Sequence, residues 1–326
     1  MITSTPDRPA LGIALITIGV IAISINDMLI KQLSGGYPLH QIVATRSVIG
    51  LIFSFTLVYM EGGLRILRTA TPGLHLLRGL LVVFANMLFY AAVAVLPLAK
   101  ATALFFVAPL FITLLSIPLL GEKVGPFRLA AVIVGFGGVI IMQQPWAGSA
   151  ADVSRLVLLL PVAAALLYAL MQVLTRKLGV SSSASAMAVY IQMTFLLTSL
   201  VFFVVAGDGR FADRFDNPSA QFLLRAWMVP ETGDLIVFFG LGITAGFIGY
   251  CLSAAYKLAS AATIAPFEYI GLPLAIFWGW AIFGEWPDLA VWIGCVLIVG
   301  AGLVVFLRER QQGRKPIGPR QRAFRR

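Results

Sequence analysis

The sequence predicts an all-α membrane protein with ten transmembrane helices, arranged as two inverted five-helix repeats. Three observations support this fold class: the composition is apolar, ten apolar segments are long, and the two halves are similar. Of the 326 residues, 60% are hydrophobic and 12% are charged, and the mean hydropathy is +0.94. A water-soluble chain of this length could not bury so much apolar surface. A bilayer removes that need, because about 20 apolar residues cross its hydrocarbon core.

The predicted helices are apolar segments bounded by charge, glycine or proline. They cover residues 10–33, 38–60, 74–96, 100–120, 127–143, 155–178, 184–206, 234–257, 261–283 and 288–307. Most connections between them are short. The exception is 207–233, in which the stretch 221–229 has the apolar and aromatic content of a segment that lies in the headgroup region.

The two halves match first near the start of each. NDMLIKQL at 26–33 matches MQVLTRKL at 171–178, which aligns Asp27 with Gln172 and Lys31 with Arg176. A second match, with a two-residue gap, aligns YAAVAVLPLAKA at 90–101 with SAAYKLASAA at 253–262. Self-similarity of this kind indicates an internal repeat.

The match continues to the end of each half. Pro109 aligns with Pro273, and the pair Gly121-Glu122 aligns with the pair Gly284-Glu285. A glycine-rich helix follows each pair. We therefore divide the chain into a first repeat at 10–143, a second repeat at 155–307 and a basic tail at 308–326.

Each repeat has five helices, and because five is odd the second repeat enters the membrane from the opposite side. Inverted repeats suit alternating access, since an exchange of conformation between the halves opens a central site to either side in turn. The sequence therefore favours a secondary transporter over a membrane enzyme.

The lysine and arginine residues predict the orientation. If the N-terminus lies inside and the helix count is even, most of the 24 basic residues fall on the inner side, many of them in the tail. Because basic residues favour the cytoplasmic side, we predict a multi-pass protein of a bacterial inner membrane with both termini inside.

Several other functions are not expected. The net charge of +10 is concentrated in the tail, where it suits anionic lipid headgroups rather than nucleic acid. Cys251 and Cys295 lie in apolar segments, and His40 and His75 have no metal-ligand spacing, so neither a metal site nor a cofactor is predicted. No phosphate-binding GxxxxGK[ST] motif and no catalytic constellation occurs, so the chain is predicted not to be an enzyme.

Two stretches resemble a known family: APLFITLLSIPLLGE at 108–122 and APFEYIGLPLAIFWGWAIFGE at 265–285. Over about residues 10–307 the chain resembles the drug/metabolite transporter superfamily, specifically its EamA-type proteins with two five-helix repeats. Three further stretches resemble the branch that contains S-adenosylmethionine transporters: INDMLIKQLSG (25–35), HLLRGLLVVFAN (75–86) and FGEWPD (283–288). Riboflavin and amino-acid carriers are also similar.

The resemblance implies a helix bundle around a central cavity near the bilayer midplane. The first four helices of each repeat would line the cavity. The fifth and tenth helices would lie at the periphery, where their glycines permit close packing, including with a second subunit in a homodimer.

Ionisable residues inside predicted helices are the first candidates for the site, because such residues usually face a cavity or a partner. Asp27 and Arg46 lie in consecutive helices at similar depth, so we predict a buried pair between them. The pair either fixes helix register or takes part in outer gating or substrate contact. Gln172 and Gln192, at the matching places in the second repeat, would form a neutral counterpart.

Glu268 is the leading single candidate. It lies near the start of the ninth predicted helix, beside Tyr269, and its own helix has no basic partner. The residue either couples transport to protons or contacts a cationic substrate, or it pairs with Lys257 or Arg78 at the cytoplasmic end.

Uncharged residues complete the predicted site. Asn86 and Tyr250 occupy similar mid-helix positions in the two repeats. Aromatic residues that could stack on a planar ligand are Tyr90, Phe105, Tyr168, Tyr190, Tyr269 and Trp278. The predicted function is transport of a small polar or zwitterionic metabolite, such as an amino acid or S-adenosylmethionine. The alternatives are a riboflavin-like aromatic metabolite and, from another class, a lipid-modifying membrane enzyme.

Overall fold

The computed structural model describes residues 9–69, 71–121, 125–144, 155–178, 183–214, 216–258 and 267–313. These residues form helices and their connections, with no β-strand among them. The helices are α1 (Pro9–Leu33), α2 (Leu39–Glu61), α3 (Pro72–Val93), α4 (Leu98–Phe105), α5 (Ala108–Leu120), α6 (Pro126–Gln143), α7 (Arg155–Leu178), α8 (Ala184–Ala206), α9 (Pro218–Leu224), α10 (Leu235–Leu258), α11 (Gly271–Phe283) and α12 (Leu289–Gly313).

Seven helical stretches of the described chain are long and apolar enough to cross a membrane. One of them, Leu98–Leu119, joins α4 to α5. Three shorter apolar helices, Leu129–Gln143, Gly271–Phe283 and Leu289–Val304, fall within the other three predicted segments. The all-helical membrane class is confirmed, while the count of ten crossings stays a prediction.

Two of the predicted helices are interrupted, which the sequence analysis did not foresee. The fourth is broken at Phe106 and Val107, and the ninth has a turn at Tyr269 and Ile270 before α11 begins. Each break lies two to four residues before a proline, Pro109 or Pro273. Proline has no N–H to donate to the carbonyl four residues earlier, and its ring clashes with that carbonyl, so the helix opens there.

The glycines of the two matched Gly-Glu pairs have the same structural role. Gly121 ends α5 with φ 70° and ψ 21°, and Gly284 ends α11 with φ 66° and ψ 16°. This left-handed conformation suits glycine and closes a helix C-terminus. Glu122 lies outside the described residues, as does the side chain of Arg176.

The main contacts join helices of the first half to helices of the second. Helix α1 packs on α10 and α3 packs on α7, while α2 packs on α8 and α6 packs on α12. The breaks also meet, because the Phe106 ring lies 5.5 Å from the Tyr269 ring. The two halves therefore form one interleaved bundle.

Glycines bring α6 and α12 together within the chain. A Cβ atom added at Gly138 would lie 3.0 Å from the Gly294 carbonyl oxygen and 3.0 Å from Leu297 Cβ. A Cβ atom at Gly294 would lie 2.1 Å from the Met142 side chain. These glycines, expected to permit packing against a second subunit, thus serve an interface inside one chain.

One end of the bundle is here called the Tyr37 face. It carries the 34–38 connection, the 94–97 connection, the 207–234 segment and the 284–288 connection. The opposite end, where α1 begins, is called the N-terminal face. Helix α12 ends at the N-terminal face and continues to Gly313, so the first residues of the predicted tail are helical; 314–326 lie outside the described residues.

The 207–234 segment is folded onto the protein more closely than a headgroup-region segment was expected to be. Ser219 on α9 donates to the Ala91 carbonyl at 2.7 Å, and Phe222 is buried in the core. Gln41 donates to the Met228 carbonyl at 2.6 Å and accepts from the Met228 N–H at 3.1 Å. The segment therefore covers the ends of α2 and α3.

Tyr37 anchors the end of this segment. Its hydroxyl donates to Asp234 Oδ2 at 2.7 Å and accepts from the Glu231 N–H at 3.0 Å. Donation to the Asp234 carboxylate raises the pKa of the Tyr37 phenol. The hydroxyl stays protonated at neutral pH and the tether is retained.

Replacement of Gly138 by leucine is expected to lower the apparent melting temperature of the detergent-purified protein. Overpacking of this kind typically costs about 1–3 kcal/mol, because the α6–α12 contact must widen. Gly137→Leu is the matched control, since a Cβ atom there meets nothing within 4 Å. Equal melting temperatures for the two variants would contradict the assigned contact.

Candidate functional site

Four polar side chains form a cluster inside the bundle: Asn26 and Asp27 on α1, Arg46 on α2 and Tyr90 on α3. Each has at most 9% of its surface exposed. The Tyr90 hydroxyl donates to Asp27 Oδ1 at 2.8 Å, and Arg46 Nη1 donates to Asn26 Oδ1 at 2.9 Å. Burial is tolerated because each of these polar groups has at least one partner.

The predicted ion pair between Asp27 and Arg46 is wrong in its geometry. Among the described residues, no ion pair joins the two side chains; Arg46 bonds to the neighbouring Asn26, and Asp27 bonds to Tyr90. Successive helix residues point about 100° apart, so Asn26 and Asp27 face different partners. The prediction that both charges share one buried region is consistent with this cluster.

Arg46 has a guanidinium group that its surroundings satisfy only in part. It lies over the Phe195 ring at 4.9 Å and over the Tyr90 ring at 5.7 Å, as cation–π contacts require. Its Nε atom is buried and has no hydrogen-bond partner within the described chain. The cluster therefore retains donor capacity for an anionic or carbonyl group.

A row of aromatic rings runs from this cluster across α3 and α4 to α7. The centroid distances are 5.4 Å from Tyr90 to Phe89, 5.3 Å from Phe89 to Phe105, and 5.6 Å from Phe105 to Tyr168. At its far end the Tyr168 hydroxyl accepts a hydrogen bond from Gln172 Nε2 at 2.8 Å. The row joins the Asp27 side of the bundle to the Gln172 side.

Glu268 lies close to the Tyr168 end of this row. Its carboxylate interacts electrostatically with Tyr168 and Tyr269, and the residue is half-buried. Of its two predicted basic partners, Arg78 has Nη1 3.6 Å from Met187 Sδ, and the Lys257 side chain lies outside the described residues. The structure thus brings Glu268 together with Gln172 through Tyr168.

Three other predicted residues lie elsewhere. Gln192 on α8 donates to the Ala245 carbonyl at 3.3 Å, so it links α8 to α10 and does not pair with Gln172. Tyr250 is half-buried on α10. The Tyr269 hydroxyl lies against Gly302, where a Cβ atom would be only 1.7 Å away, which ties the ninth-segment turn to α12.

Asn86 lines a small cavity between α2, α3, α8 and α9. The cavity is also lined by His40, Tyr90 and Phe195. Asn86 Nδ2 donates to the Val82 carbonyl of its own helix at 2.9 Å, and His40 Nε2 is buried with no partner among the described residues. Asn86 and His40 thus border a small, mostly apolar space beside the Asp27 cluster.

An ion pair that the sequence did not predict lies at the Tyr37 face. Lys31 Nζ lies 2.7 Å from Glu285 Oε1 and also donates to the Leu96 carbonyl at 2.7 Å. Glu285 Oε2 accepts from the Leu98 N–H at 3.0 Å. The pair joins α1 to the α3–α4 turn and to the end of α11. One signal in the sequence could have indicated this pair: Lys31 and Glu285 carry opposite charges and fall at the same predicted face.

These features define a polytopic helical membrane protein with a buried polar and aromatic site, a class typical of transporters. Comparison with sequence families agrees: the EamA-like transporter family matches residues 10–143 and 155–307. The chain belongs to the EamA-like transporter family, and it is a membrane transporter.

Three relatives extend this result. The riboflavin transporter of Rhizobium johnstonii is 31% identical over 95% of this chain and 96% of its own length. The S-adenosylmethionine uptake transporter of Rickettsia prowazekii is 27% identical over 92% of this chain and 94% of its own length. The pseudopaline exporter CntI of Pseudomonas aeruginosa is 28% identical over 89% of this chain and 94% of its own length.

A solved structure shares the fold. Its description reads only "Crystal structure of protein", and it has a TM-score of 0.60 and 20% identity over 93% of this chain and 99% of its own chain.

Removal of the Tyr90 hydroxyl is expected to destabilise the bundle. In Tyr90→Phe, the Asp27 carboxylate loses the only hydrogen bond that it receives from the described residues. A buried polar group left unsatisfied costs about 1–3 kcal/mol. The measurement is the apparent melting temperature in detergent. Tyr59→Phe, at a side chain that is 82% exposed, is the control and should change nothing. An unchanged melting temperature for Tyr90→Phe would refute the role of this hydrogen bond.

Proposed function

We propose that the chain is a secondary transporter that moves a small metabolite across a bacterial inner membrane by alternating access. The proposed substrate combines a planar heteroaromatic ring with a polar or zwitterionic chain. S-adenosylmethionine fits this description, and it is the first candidate because charged groups border the aromatic row.

The observation that carries this proposal is the row Tyr90–Phe89–Phe105–Tyr168 with a polar group at each end. Aromatic rings offer stacking surfaces to a planar ligand. The Asp27 and Arg46 cluster at one end and Glu268 at the other supply opposite charges for a zwitterionic chain. Gln172 adds an uncharged hydrogen-bonding group.

A second candidate is a riboflavin-like substrate with an uncharged polar chain. Asn86 and Gln172 favour it, because amide groups beside aromatic rings can bond to the edge of a neutral ring system. The riboflavin transporter of Rhizobium johnstonii is among the relatives. The two candidates differ in the charge on the chain, which an uptake assay can separate.

Two features support alternating access. The main helix contacts run between the halves, in the exchanged pairs α1 with α10 and α3 with α7 and in the matched pairs α2 with α8 and α6 with α12. Both proline breaks lie where these halves meet. The ion pair Lys31–Glu285 ties α1 to the connection after α11 at the Tyr37 face, and we propose that it holds that face shut in one state of the cycle. Ten crossings in two inverted units would let the same halves close the other face.

Purified protein in liposomes should take up S-adenosylmethionine when a pH gradient is imposed. Glu268→Gln is expected to reduce gradient-driven uptake by about tenfold, which corresponds to about 1.4 kcal/mol, while exchange without a gradient persists. Loss of the titratable group removes the proposed proton coupling and leaves the site in place. Initial rates of uptake of labelled compound are measured.

Glu231→Gln is the control, since Glu231 is exposed on the Tyr37 face. If Glu268→Gln kept its dependence on the gradient, the coupling proposal would fail. Riboflavin uptake in place of S-adenosylmethionine uptake would select the second candidate.

The proposed orientation places the Tyr37 face outside. In a chain without Cys251 and Cys295, Gly35→Cys should react with a membrane-impermeant maleimide in intact cells. Gly73→Cys, at the N-terminal face, should react only after the cells are permeabilised. A Cβ atom at either glycine meets nothing within 4 Å, so both substitutions suit the fold. The reverse labelling pattern would overturn the orientation.

A further inference from the structure

A second cavity lies at the Tyr37 face, apart from the aromatic row. It has a volume of about 200 Å³ and is formed by the α3–α4 turn, the start of α4, the end of α6, one residue of α7, the 284–288 connection and the start of α12. We call it the outer vestibule. The lining residues on which the argument depends are Lys100, Gln144, Glu285, Trp286 and Asp288.

The outer vestibule presents charges of both signs. Lys100 is half-buried and forms no ion pair or hydrogen bond with the described residues, so its ammonium group has capacity for an anion. Glu285 and Asp288 supply carboxylates on the connection between α11 and α12. Trp286 adds an aromatic surface of the kind that attracts organic cations.

This combination matches the head of an amino-acid zwitterion. A carboxylate would lie beside Lys100, and an ammonium or sulfonium group would lie beside Asp288, Glu285 and the Trp286 ring. The volume is below the about 300–1,000 Å³ of sites that enclose drug-sized ligands, so it suits a head group and not a complete ring system.

Glu285 links the vestibule to closure of the Tyr37 face. The carboxylate that lines the cavity also accepts hydrogen bonds from Lys31 and from the Leu98 N–H. A ligand cation beside Glu285 would compete with Lys31 for the same oxygens, and this competition weakens the ion pair. Lys31 would keep its bond to the Leu96 carbonyl within the first half.

We propose that the outer vestibule is a docking site for zwitterionic substrates, in which Lys100 binds the carboxylate and Asp288 with Glu285 binds the cation. Occupation of the site loosens Lys31–Glu285 and so favours opening of the Tyr37 face. This inference rests on the proposed transport function and narrows the substrate class to zwitterions. Lys100 and Asp288 are then specificity residues outside the central site.

The first test measures ligand binding without transport. In a chain lacking Cys251 and Cys295, Gln144→Cys places a thiol in the vestibule, and its rate of labelling by a charged maleimide is followed in liposomes. S-adenosylmethionine should protect the thiol and so slow this labelling. When Lys100→Gln is introduced into the same chain, the protection should be lost. Riboflavin, which has no zwitterionic head, should give none. Protection that survives Lys100→Gln, or that riboflavin gives equally, would overturn the proposal.

The second test separates docking from the central site. Lys100→Gln and Asp288→Asn should raise the KM for S-adenosylmethionine uptake about fivefold at an unchanged maximal rate, the effect of losing about 1 kcal/mol of charge attraction. Asparagine can still accept the hydrogen bond from the Val291 N–H, so the start of α12 is preserved.

Matched controls are Arg214→Gln and Asp208→Asn, which remove exposed charges of the 207–234 segment outside the vestibule. A change in KM equal to that of the vestibule variants would show a general surface effect and refute the site. If S-adenosylmethionine protected the thiol but was not transported, the docking site would stand. S-adenosylmethionine would then be rejected as the substrate in the proposed function. A fall in the maximal rate of Lys100→Gln at unchanged KM would indicate that Lys100 acts in closure of the Tyr37 face. That result would refute its role in substrate binding.

Discussion

A buried charge inside a membrane protein is stable only where its partners are held in place, and Arg46 imposes that requirement on the bundle. Its hydrogen-bond acceptor, Asn26, is itself fixed by donation to the Leu241 carbonyl and to Thr244 on α10. The aromatic surfaces beside the guanidinium come from α3 and α8. The Arg46 guanidinium therefore determines how α1, α3, α8 and α10 are placed around α2. The packing of these helices and the chemistry of the site depend on the same atoms.

The sequence predicted helix ends that depend on local chemistry. The glycines of both Gly-Glu pairs end helices because glycine adopts the left-handed conformation. The helix breaks before Pro109 and Pro273 were not predicted, because each proline lies inside an apolar segment long enough to be one continuous helix. The partner of Arg46 could not be predicted, because residues 26 and 27 lie at nearly the same depth and differ only in direction around α1. The partner of Lys31 was not predicted either, because Glu285 lies 254 residues away in the sequence and only the fold brings the two side chains to 2.7 Å.

The two ends of the aromatic row carry different charged groups. On the first-half side the charges of Asp27 and Arg46 belong to a fixed network with Asn26 and Tyr90. On the second-half side the corresponding α7 position is the neutral Gln172, and the charge comes from Glu268 near the helix break. A network with several partners resists rearrangement, whereas a carboxylate beside a break can change its surroundings when the break bends. The position of Glu268 beside the break is therefore the reason why Glu268, and not Asp27, is the group proposed to couple transport to protons.

Helix α1 connects closure of the Tyr37 face to the buried cluster. Asp27 and Lys31 are one turn apart, about 6 Å along the helix axis, and therefore lie on the same side of α1. Ser24, three residues before Asp27, accepts a hydrogen bond from Trp278 Nε1 on α11 at 3.0 Å. On this side of α1, Ser24 contacts α11, Asp27 contacts α3, and Lys31 contacts the connection that follows α11. Separation of α1 from α11 breaks Ser24–Trp278 and Lys31–Glu285 but leaves Asp27–Tyr90 and Lys31–Leu96 intact. A route from the Tyr37 face to the aromatic row between α1 and α11 would therefore break two side-chain contacts of α1 and keep the two that hold α1 to α3 and to the α3–α4 turn.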